Sequence, residues 1–541
     1  MPLRPALLAH ICSIAAVVIC APSARSQSLP LGPMVQLGSQ SEELARLGQL
    51  VGESRTGGYL IRSASSLSAR ARGDSLRRFT IVAPELRVVD NSAIPYSLND
   101  GVLWSGRGMN TLLTAGVLFR MKGLELMIAP QLTTSANLPF QVIPYRQDSA
   151  PRRSIWANPF HGPASSIDLP LRFGDQPIRR LDAGQSSLTF TVRSVSFGFA
   201  TENLWWGPGI RNAIVLSSNA PGFPHAFVQT AHGIHTRAGT FDAQWIVGRL
   251  NESGFFDANA SNDARSLSGA VVVWTPPSDS GLSLGMSRTV FAPASSRGFP
   301  AGAAFDVLRN VGNPNSGSAS DTTAAGPDQL FSLFGRWVFP RAGFEVYGEW
   351  ARFEQPRSLR DLLLSPGHSQ AYTFGLQWAR ALAPGRRFRL QAEGTYLEPD
   401  PSIRVRPVAT TYTSRSVVQG YTNRGKTLGA SIGPGSSSQW LAADVFGGTG
   451  RVGAFAGRIR WDNATLWDPL IPQPKNEDVS LLGGVRASTQ FMGVQVLIEY
   501  THAIRLDYLY QDRIANDAVG THAGVDIANR TLSLTLSAAA R

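Results

Sequence analysis

From residue 78 onward apolar side chains recur at every second position. No run after residue 26 holds the roughly 18 apolar residues that a membrane-spanning helix needs. Period two sends neighbouring side chains to opposite faces of a strand, so this chain is read as all-β. In GFEVYGEWARFE, Phe344, Val346, Gly348 and Trp350 alternate with Glu345, Tyr347, Glu349 and Ala351. RFRLQAEGTYLE sets Phe388, Leu390, Ala392 and Tyr396 against Arg389, Gln391 and Glu393. AFAGRIRWDN sets Phe455, Gly457, Ile459 and Trp461 against Ala456, Arg458, Arg460 and Asp462, and GVQVLIEYTH sets Val494, Val496, Ile498 and Tyr500 against Gln495 and Glu499.

A soluble sandwich alternates too, with its apolar face inside. Here the polar face carries dense charges of both signs, which suits a hydrated lumen, and aromatic residues recur near strand ends as interfacial girdles require. Connection lengths add a third argument. Candidate strands begin at FTIVAPELRVVD, TLLTAGVLFRM and LELMIAPQLTT and end at GVQVLIEYTHAIRLD and TLSLTLSAAA, about 18 in all, the even number expected of a single-chain barrel. Every second connection is a short turn, such as MKG at 121–123, RS at 193–194, PRAG at 340–343 and FMG at 491–493. The others are long, at 135–185, 202–223, 292–328, 399–438 and 508–529. Short periplasmic turns and long extracellular loops are the asymmetry of an outer-membrane barrel. The expected fold is therefore a transmembrane antiparallel β-barrel over residues 78–541.

Residues 1–26 read as a cleaved secretory signal. Arg4 gives the positive start, ALLAHICSIAAVVIC the apolar stretch, and Ala24 with Ser26 the small residues of a cleavage site. Both cysteines, Cys12 and Cys20, fall inside it, so the mature chain has neither disulfides nor thiolate metal sites. The bulky Ile19 before Cys20 argues against a lipoprotein signal. Residues 27–77 form a short periplasmic helical region. In SQSEELARLGQLVG, Leu44, Leu47, Leu50 and Val51 make one stripe, and Ser39 with Glu42 has capping-box spacing. Such a helix can plug or rim the pore.

The formal charge is 50 − 38 = +12, or +10 once Arg4 and Arg25 leave with the signal. Only Lys122, Lys426 and Lys475 are lysines. An arginine-rich surface suits anionic sugars or lipid head groups, and it also follows from codon bias. Scattered charge on an exported chain excludes nucleic acid as a partner.

Four enzyme-like or metal-like patterns weaken on inspection. GASIG at 429–433 has the spacing of a nucleophile elbow around Ser431, but GPGSSS follows it instead of a helix. GTGRVG at 448–453 has dinucleotide-loop spacing but lies between two strands, as a hairpin turn does. His232 and His235 lack a third ligand and would face opposite ways on a strand. His502 beside Glu499 is a pairing that arises by chance. No catalytic residue, metal or cofactor is expected.

What remains is the chemistry of sugar binding. Sugar rings stack on indole, and their hydroxyls pair with carboxylates, amides and guanidinium groups. In ENLWWGPG and the residues after it, Glu202, Asn203, Trp205, Trp206 and Arg211 supply both kinds. The alternative is that the two tryptophans brace a loop on the barrel wall. The lumen lining is expected to include Arg389, Glu393, Arg458, Arg460 and Glu499, which a porin-like or polymer-permeable channel would also show.

The run ATENLWWGPGIRNAIVLSSNAPGFP resembles the capsule assembly Wzi family of Gram-negative outer-membrane proteins. NDGVLWSGRGMN, DLPLRFGDQPIRRLDAGQS, GEWARFE and YTNRGKTLGASIGPGSS support the resemblance over residues 99–437. It implies an 18-stranded barrel with an N-terminal helical bundle, acting as a non-enzymatic lectin for capsular polysaccharide or exopolysaccharide at the cell surface. Outer-membrane lipid and the barrel assembly machinery are the other expected partners. Two features depart from the family: the helical region is short, and the end SLTLSAAAR lacks the terminal aromatic that many barrels carry.

Overall fold

The computed structural model describes residues 31–32, 35–54, 59–72, 78–145, 153–161, 165–295, 297–309, 327–353, 359–400, 409–447, 450–466, 476–511 and 525–538. The signal read at residues 1–26 lies outside the described residues.

The strands form one closed antiparallel barrel of 18 staves. The first five are β1 (Phe79–Asn91), β2 (Gly108–Met121), β3 (Leu124–Ile128 continued by Gln131–Ser135), β4 (Ile178–Asp182 continued by Ser187–Val192) and β5 (Val195–Ala200). The next four are β6 (His225–Thr230 continued by Ile234–Thr236), β7 (Gly239–Asn251), β8 (Ala264–Thr275) and β9 (Leu282–Pro293). Then come β10 (Asp328–Phe339), β11 (Phe344–Arg352), β12 (Gln370–Ala383), β13 (Arg386–Tyr396) and β14 (Ser437–Gly447). The last four are β15 (Gly450–Arg460), β16 (Val479–Phe491), β17 (Val494–Leu506) and β18 (Ile527–Ala538). Closure comes from β18 pairing with β1, from Thr531↔Asn91 to Ser537↔Glu85. With every edge paired, no open ladder faces lipid.

Alternation assigns the faces. On β11, Glu345, Tyr347, Glu349 and Ala351 point inward and are buried. On the outside Leu333, Phe374, Leu390, Leu441, Val485 and Ile498 stay exposed, as an apolar band facing hydrocarbon requires. Arg389, Glu393 and Glu499 lie on inward positions of β13 and β17. Arg458 and Arg460 do not, which corrects the expectation that they line the lumen. Residues directly opposite in a ladder share a face, and Arg458 pairs with Gln439 while Phe455 pairs with Ala442 and Ile459 with Ser438. Phe455 and Ile459 are buried inward, so the two arginines point outward near the long-loop end. There Arg460 pairs with Glu398 and, at 2.9 Å, with Glu477. The assignment failed because this stretch of lumen is filled with apolar protein, not water, so apolar side chains belong on both faces.

Two bodies fill the lumen. At the short-turn end sits α1 (Gln40–Leu50), whose Leu47 and Leu50 pack on Val338, Ala379 and Phe446. Burying each leucine contributes on the order of 2 kcal/mol. The Ser39 hydroxyl caps the helix by accepting Glu42 N–H at 3.3 Å, while the Glu42 carboxylate accepts Gly38 N–H at 2.6 Å. The second body is made of long loops folded inward, centred on Trp206, Ile214, Val215, Leu216, Tyr412 and Tyr421. A second helix, α2 (Ala64–Arg72), follows the short strand Ile61–Ser63.

Candidate functional site

The inner end of α1 is held by charge. Glu43 faces Arg389 at 3.4 Å, Arg486 at 3.8 Å and Arg451. Asp444 adds bonds to Arg389 at 2.7 Å and Arg486 at 2.8 Å. Burial alone would raise the Glu43 carboxyl, and the three guanidinium groups outweigh it, holding it at about 2. Arg46 pairs with Glu345, which also takes Arg336 at 2.7 Å. Breaking one partner from such a buried set leaves an uncompensated charge, so the set locks α1 across the barrel.

The loop between β5 and β6 carries the tryptophan pair. Leu204–Trp206 forms a short antiparallel ladder with Ile61–Ser63, Trp205 opposite Arg62. Arg62 ties the pieces together: it bonds Glu42 of α1 at 2.7 Å and the carbonyl of Gly209 at 2.8 Å, and its guanidinium lies 4.9 Å from the Trp205 ring. Gly207 turns the chain at φ +95°, a conformation that favours glycine, with the Glu349 carboxylate against it. Inward carboxylates on the wall receive the next turn. Glu393 accepts the N–H groups of Ile210 at 2.7 Å, Arg211 at 3.0 Å and Asn212 at 2.8 Å, and Glu349 accepts that of Ile214 at 3.1 Å.

This places each residue expected to touch glycan. Trp206 is wholly buried and donates its indole N–H to Gln244 at 2.8 Å. Glu202 is buried and accepts the N–H and hydroxyl of Ser65 at 2.7 and 2.6 Å. Burial lifts its carboxyl to about 7 against those bonds. Both are bracing groups in this arrangement, with no face left for a sugar. Asn203, Trp205 and Arg211 instead line a lumenal chamber of about 530 Å³, together with Glu499. Arg211 also stacks 3.9 Å over the Trp440 ring.

The quoted motifs meet one another here. Gly101 N–H donates to the carbonyl of Ser218 at 2.8 Å, and the Asn99 amide donates to that of Arg211 at 2.7 Å. Ser217 N–H donates to Leu428 and the Asn219 amide to Thr427. Tyr412 donates to the carbonyl of Ile214 at 2.7 Å. Lys426 donates to the carbonyls of Gly101 and Leu103 at 3.0 and 2.7 Å, and burial lowers its ammonium to about 8. Ser431 donates to Asn212 at 3.1 Å, and His502 lies exposed on the outer face of β17.

A second space opens at the long-loop end, a cleft of about 250 Å³ that sequence reasoning missed. Trp104, Phe140, Phe160 and Trp461 line it beside Lys426, Asp462 and Arg505. Asp478 fixes Arg505 with two bonds of 2.7 Å, and Arg505 in turn lies 4.9 Å from the Trp461 ring. His161 Nε2 is 2.6 Å from Asp462, and Phe160 meets Tyr510 edge-on at 4.8 Å. Its walls come from loops far apart in sequence, so although Trp104, Lys426 and Trp461 lie in quoted motifs, no local spacing brings them together.

These features define a class: an outer-membrane β-barrel stoppered from both ends, with an aromatic cleft beside its long loops. More narrowly, the chain belongs to the family of capsule assembly protein Wzi, whose model matches residues 128–443. In fold it is similar to Wzi of Escherichia coli, described as an outer-membrane protein involved in group 1 capsule assembly and a carbohydrate-binding β-barrel. The two are 11% identical, the match covers 94% of this chain and 95% of that one, and the TM-score is 0.55. OccAB2 of Acinetobacter baumannii, at 7% identity, covers 84% of this chain and 97% of its own, with TM-score 0.39. OprD of Pseudomonas aeruginosa, at 9%, covers 84% and 92%, with TM-score 0.36. No curated protein matches the sequence. The protein is thus a capsule-assembly outer-membrane protein.

Proposed function

We propose that the protein binds exported capsular polysaccharide or exopolysaccharide without catalysis and holds it at the cell surface through the cleft at the long-loop end. The observation that carries this reading is the lining of that cleft. Indole and phenyl groups of Trp104, Phe160 and Trp461 sit beside Lys426, Asp462 and Arg505. Aromatic faces suit the apolar face of a sugar ring, and fixed charged groups suit its hydroxyls or acidic substituents. At about 250 Å³ the cleft lies near the low end of ligand pockets, the size for a short stretch of a chain. Strength would come from repeats along the polymer engaging many copies of the protein.

The test is retention of polysaccharide on cells whose protein carries Trp461→Ala and Phe160→Ala. Shedding into the medium, with barrel levels unchanged, is the expected result. If deleting the gene leaves all polysaccharide attached and the purified protein binds none of it, the proposal fails.

A further inference from the structure

The outer wall at the short-turn end has its own local chemistry. On β12 the buried Ala379 faces inward against α1, so Trp378 and Arg380 face outward. Arg380 stands opposite Phe388 of β13, and Phe344 of β11 opposite Trp378, so all four share the outer face. With Trp337 and Phe339 the rings form an aromatic row. Ring centres of Trp337 and Phe339 are 4.7 Å apart, those of Phe339 and Phe344 6.1 Å, and those of Trp378 and Phe388 6.2 Å. Trp337 donates its indole N–H to Asp279 in the β8–β9 turn at 2.9 Å. That is the orientation of a ring at a membrane boundary, with its apolar body in lipid and its N–H in the interface. Three exposed arginines, Arg341, Arg380 and Arg386, border the row on its short-turn side. The turn carrying Arg341 is pinned beside β12, because Ala379 donates its N–H to the Gly343 carbonyl at 2.7 Å.

Cations on the lipid-facing wall are costly at mid-membrane and tolerated near the interface. None of these three arginines has a carboxylate partner among the described residues, and no outward position of β11, β12 or β13 holds Asp or Glu. The nearby Glu53 is taken by Arg387. Guanidinium forks pair best with carboxylate or phosphate. The surface beside them, Phe344, Trp378, Phe388 and Leu390, is apolar, so a ligand matching both parts has an anionic head and hydrocarbon tails. We infer that this corner of β11–β13 is a binding site for an anionic phospholipid of the leaflet at the short-turn end. Its phosphate is held by Arg341, Arg380 and Arg386, and its chains lie on the aromatic row. A zwitterionic head group brings its own cation and matches three arginines less well. A soluble acidic protein would meet the arginines but not the aromatic row, which lies in lipid. The inference rests on the outer-membrane barrel and is independent of the polysaccharide reading.

The test uses the full-length protein purified in detergent and titrated with dioleoyl phosphatidylglycerol, dioleoyl phosphatidylcholine or inorganic phosphate. Native mass spectrometry counts the lipid retained. Each arginine near anionic lipid contributes about fivefold, so the wild-type protein should prefer phosphatidylglycerol by about tenfold or more. Arg341→Gln, Arg380→Gln and Arg386→Gln combined should erase that preference. A control carrying Arg193→Gln, Arg237→Gln and Arg297→Gln makes the same change in net charge elsewhere on the surface and should keep it. Retained heat-modifiable electrophoretic mobility shows that each variant still forms the barrel. Equal retention of the two lipids by the wild-type protein overturns the inference and leaves the arginines to an acidic protein partner. Equal loss in the two triple variants overturns it too, as an effect of net charge alone. Displacement of bound phosphatidylglycerol by millimolar inorganic phosphate likewise overturns it, since the site would then need no lipid.

Discussion

Trp206 donates its indole N–H to Gln244 at 2.8 Å in the middle of the barrel, so the second tryptophan of the Trp-Trp pair is a structural post. Its far edge fits against Gly269 on β8, where an added Cβ would lie 2.8 Å from Cη2. Trp206→Ala is expected to cost about 3–5 kcal/mol, the range for emptying a large buried aromatic site. Gly269→Ala should also destabilise, by crowding. The smaller ring of Trp206→Phe should relieve part of that crowding, so the double variant will lose less than the sum of the two single changes. Thermal unfolding in detergent, followed by tryptophan fluorescence and gel mobility, measures all four variants.

The Glu393 carboxylate gathers three successive N–H groups and the Tyr347 hydroxyl at 2.7 Å. Glu393→Gln keeps the shape but turns one acceptor into a donor facing donors. Bonds to a charged group are worth about 1.5–3 kcal/mol each, and the loss should total about 3 kcal/mol after local relaxation. Limited proteolysis should then cut within residues 207–216 while the barrel staves stay intact. Equal protection of that segment in wild type and variant would refute the role.

The barrel was legible because period two survives along most staves, and the short turns mark one end of it. Arg389, Glu393 and Glu499 fall on inward strand positions, where alternation puts them. Arg458 and Arg460 do not, because Phe455 and Ile459 face a protein-filled lumen where apolarity no longer marks the lipid side. The Trp205–Trp206 pair was visible as special, but whether its rings were exposed depended on Gln244, Glu349 and Glu393. Those partners lie dozens to nearly two hundred positions away, and no local spacing brings them together. One clue was present: inward carboxylates on β11 and β13 without nearby cations needed N–H donors from somewhere.

Glu202 gives the inner loop a pH dependence. Its carboxyl stands at about 7 in the folded protein against 4.5 when free, so the folded state holds its proton more tightly. The resulting stabilisation is full below pH 4.5 and is lost as pH rises through 7. Hydrogen exchange in residues 202–216, corrected for intrinsic rates, should show more frequent opening at pH 8 than at pH 5. Glu202→Gln should flatten that difference and still accept the Ser65 N–H. An unchanged pH profile in the variant would assign the dependence to another group.

Conductance separates a binding barrel from an open channel. Glu43 is held at about 2 in place of 4.5, so its contribution to docking α1 is full above pH 4.5 and lost as pH falls through 2. Wild-type protein in planar bilayers should therefore stay closed from neutral pH down to about 4.5 and open only in strong acid. Glu43→Gln removes the carboxylate that Arg389, Arg451 and Arg486 share, leaving Asp444 to hold Arg389 and Arg486 while Arg451 loses its charged partner. The like charges then repel, α1 loosens, and intermittent conductance is expected at neutral pH. Arg451→Gln combined with Glu43→Gln removes one of those charges and should restore part of the closure, an outcome that general unfolding of the barrel would not produce. A large, steady conductance from the wild-type protein at neutral pH would instead favour the channel and count against α1 as a stopper.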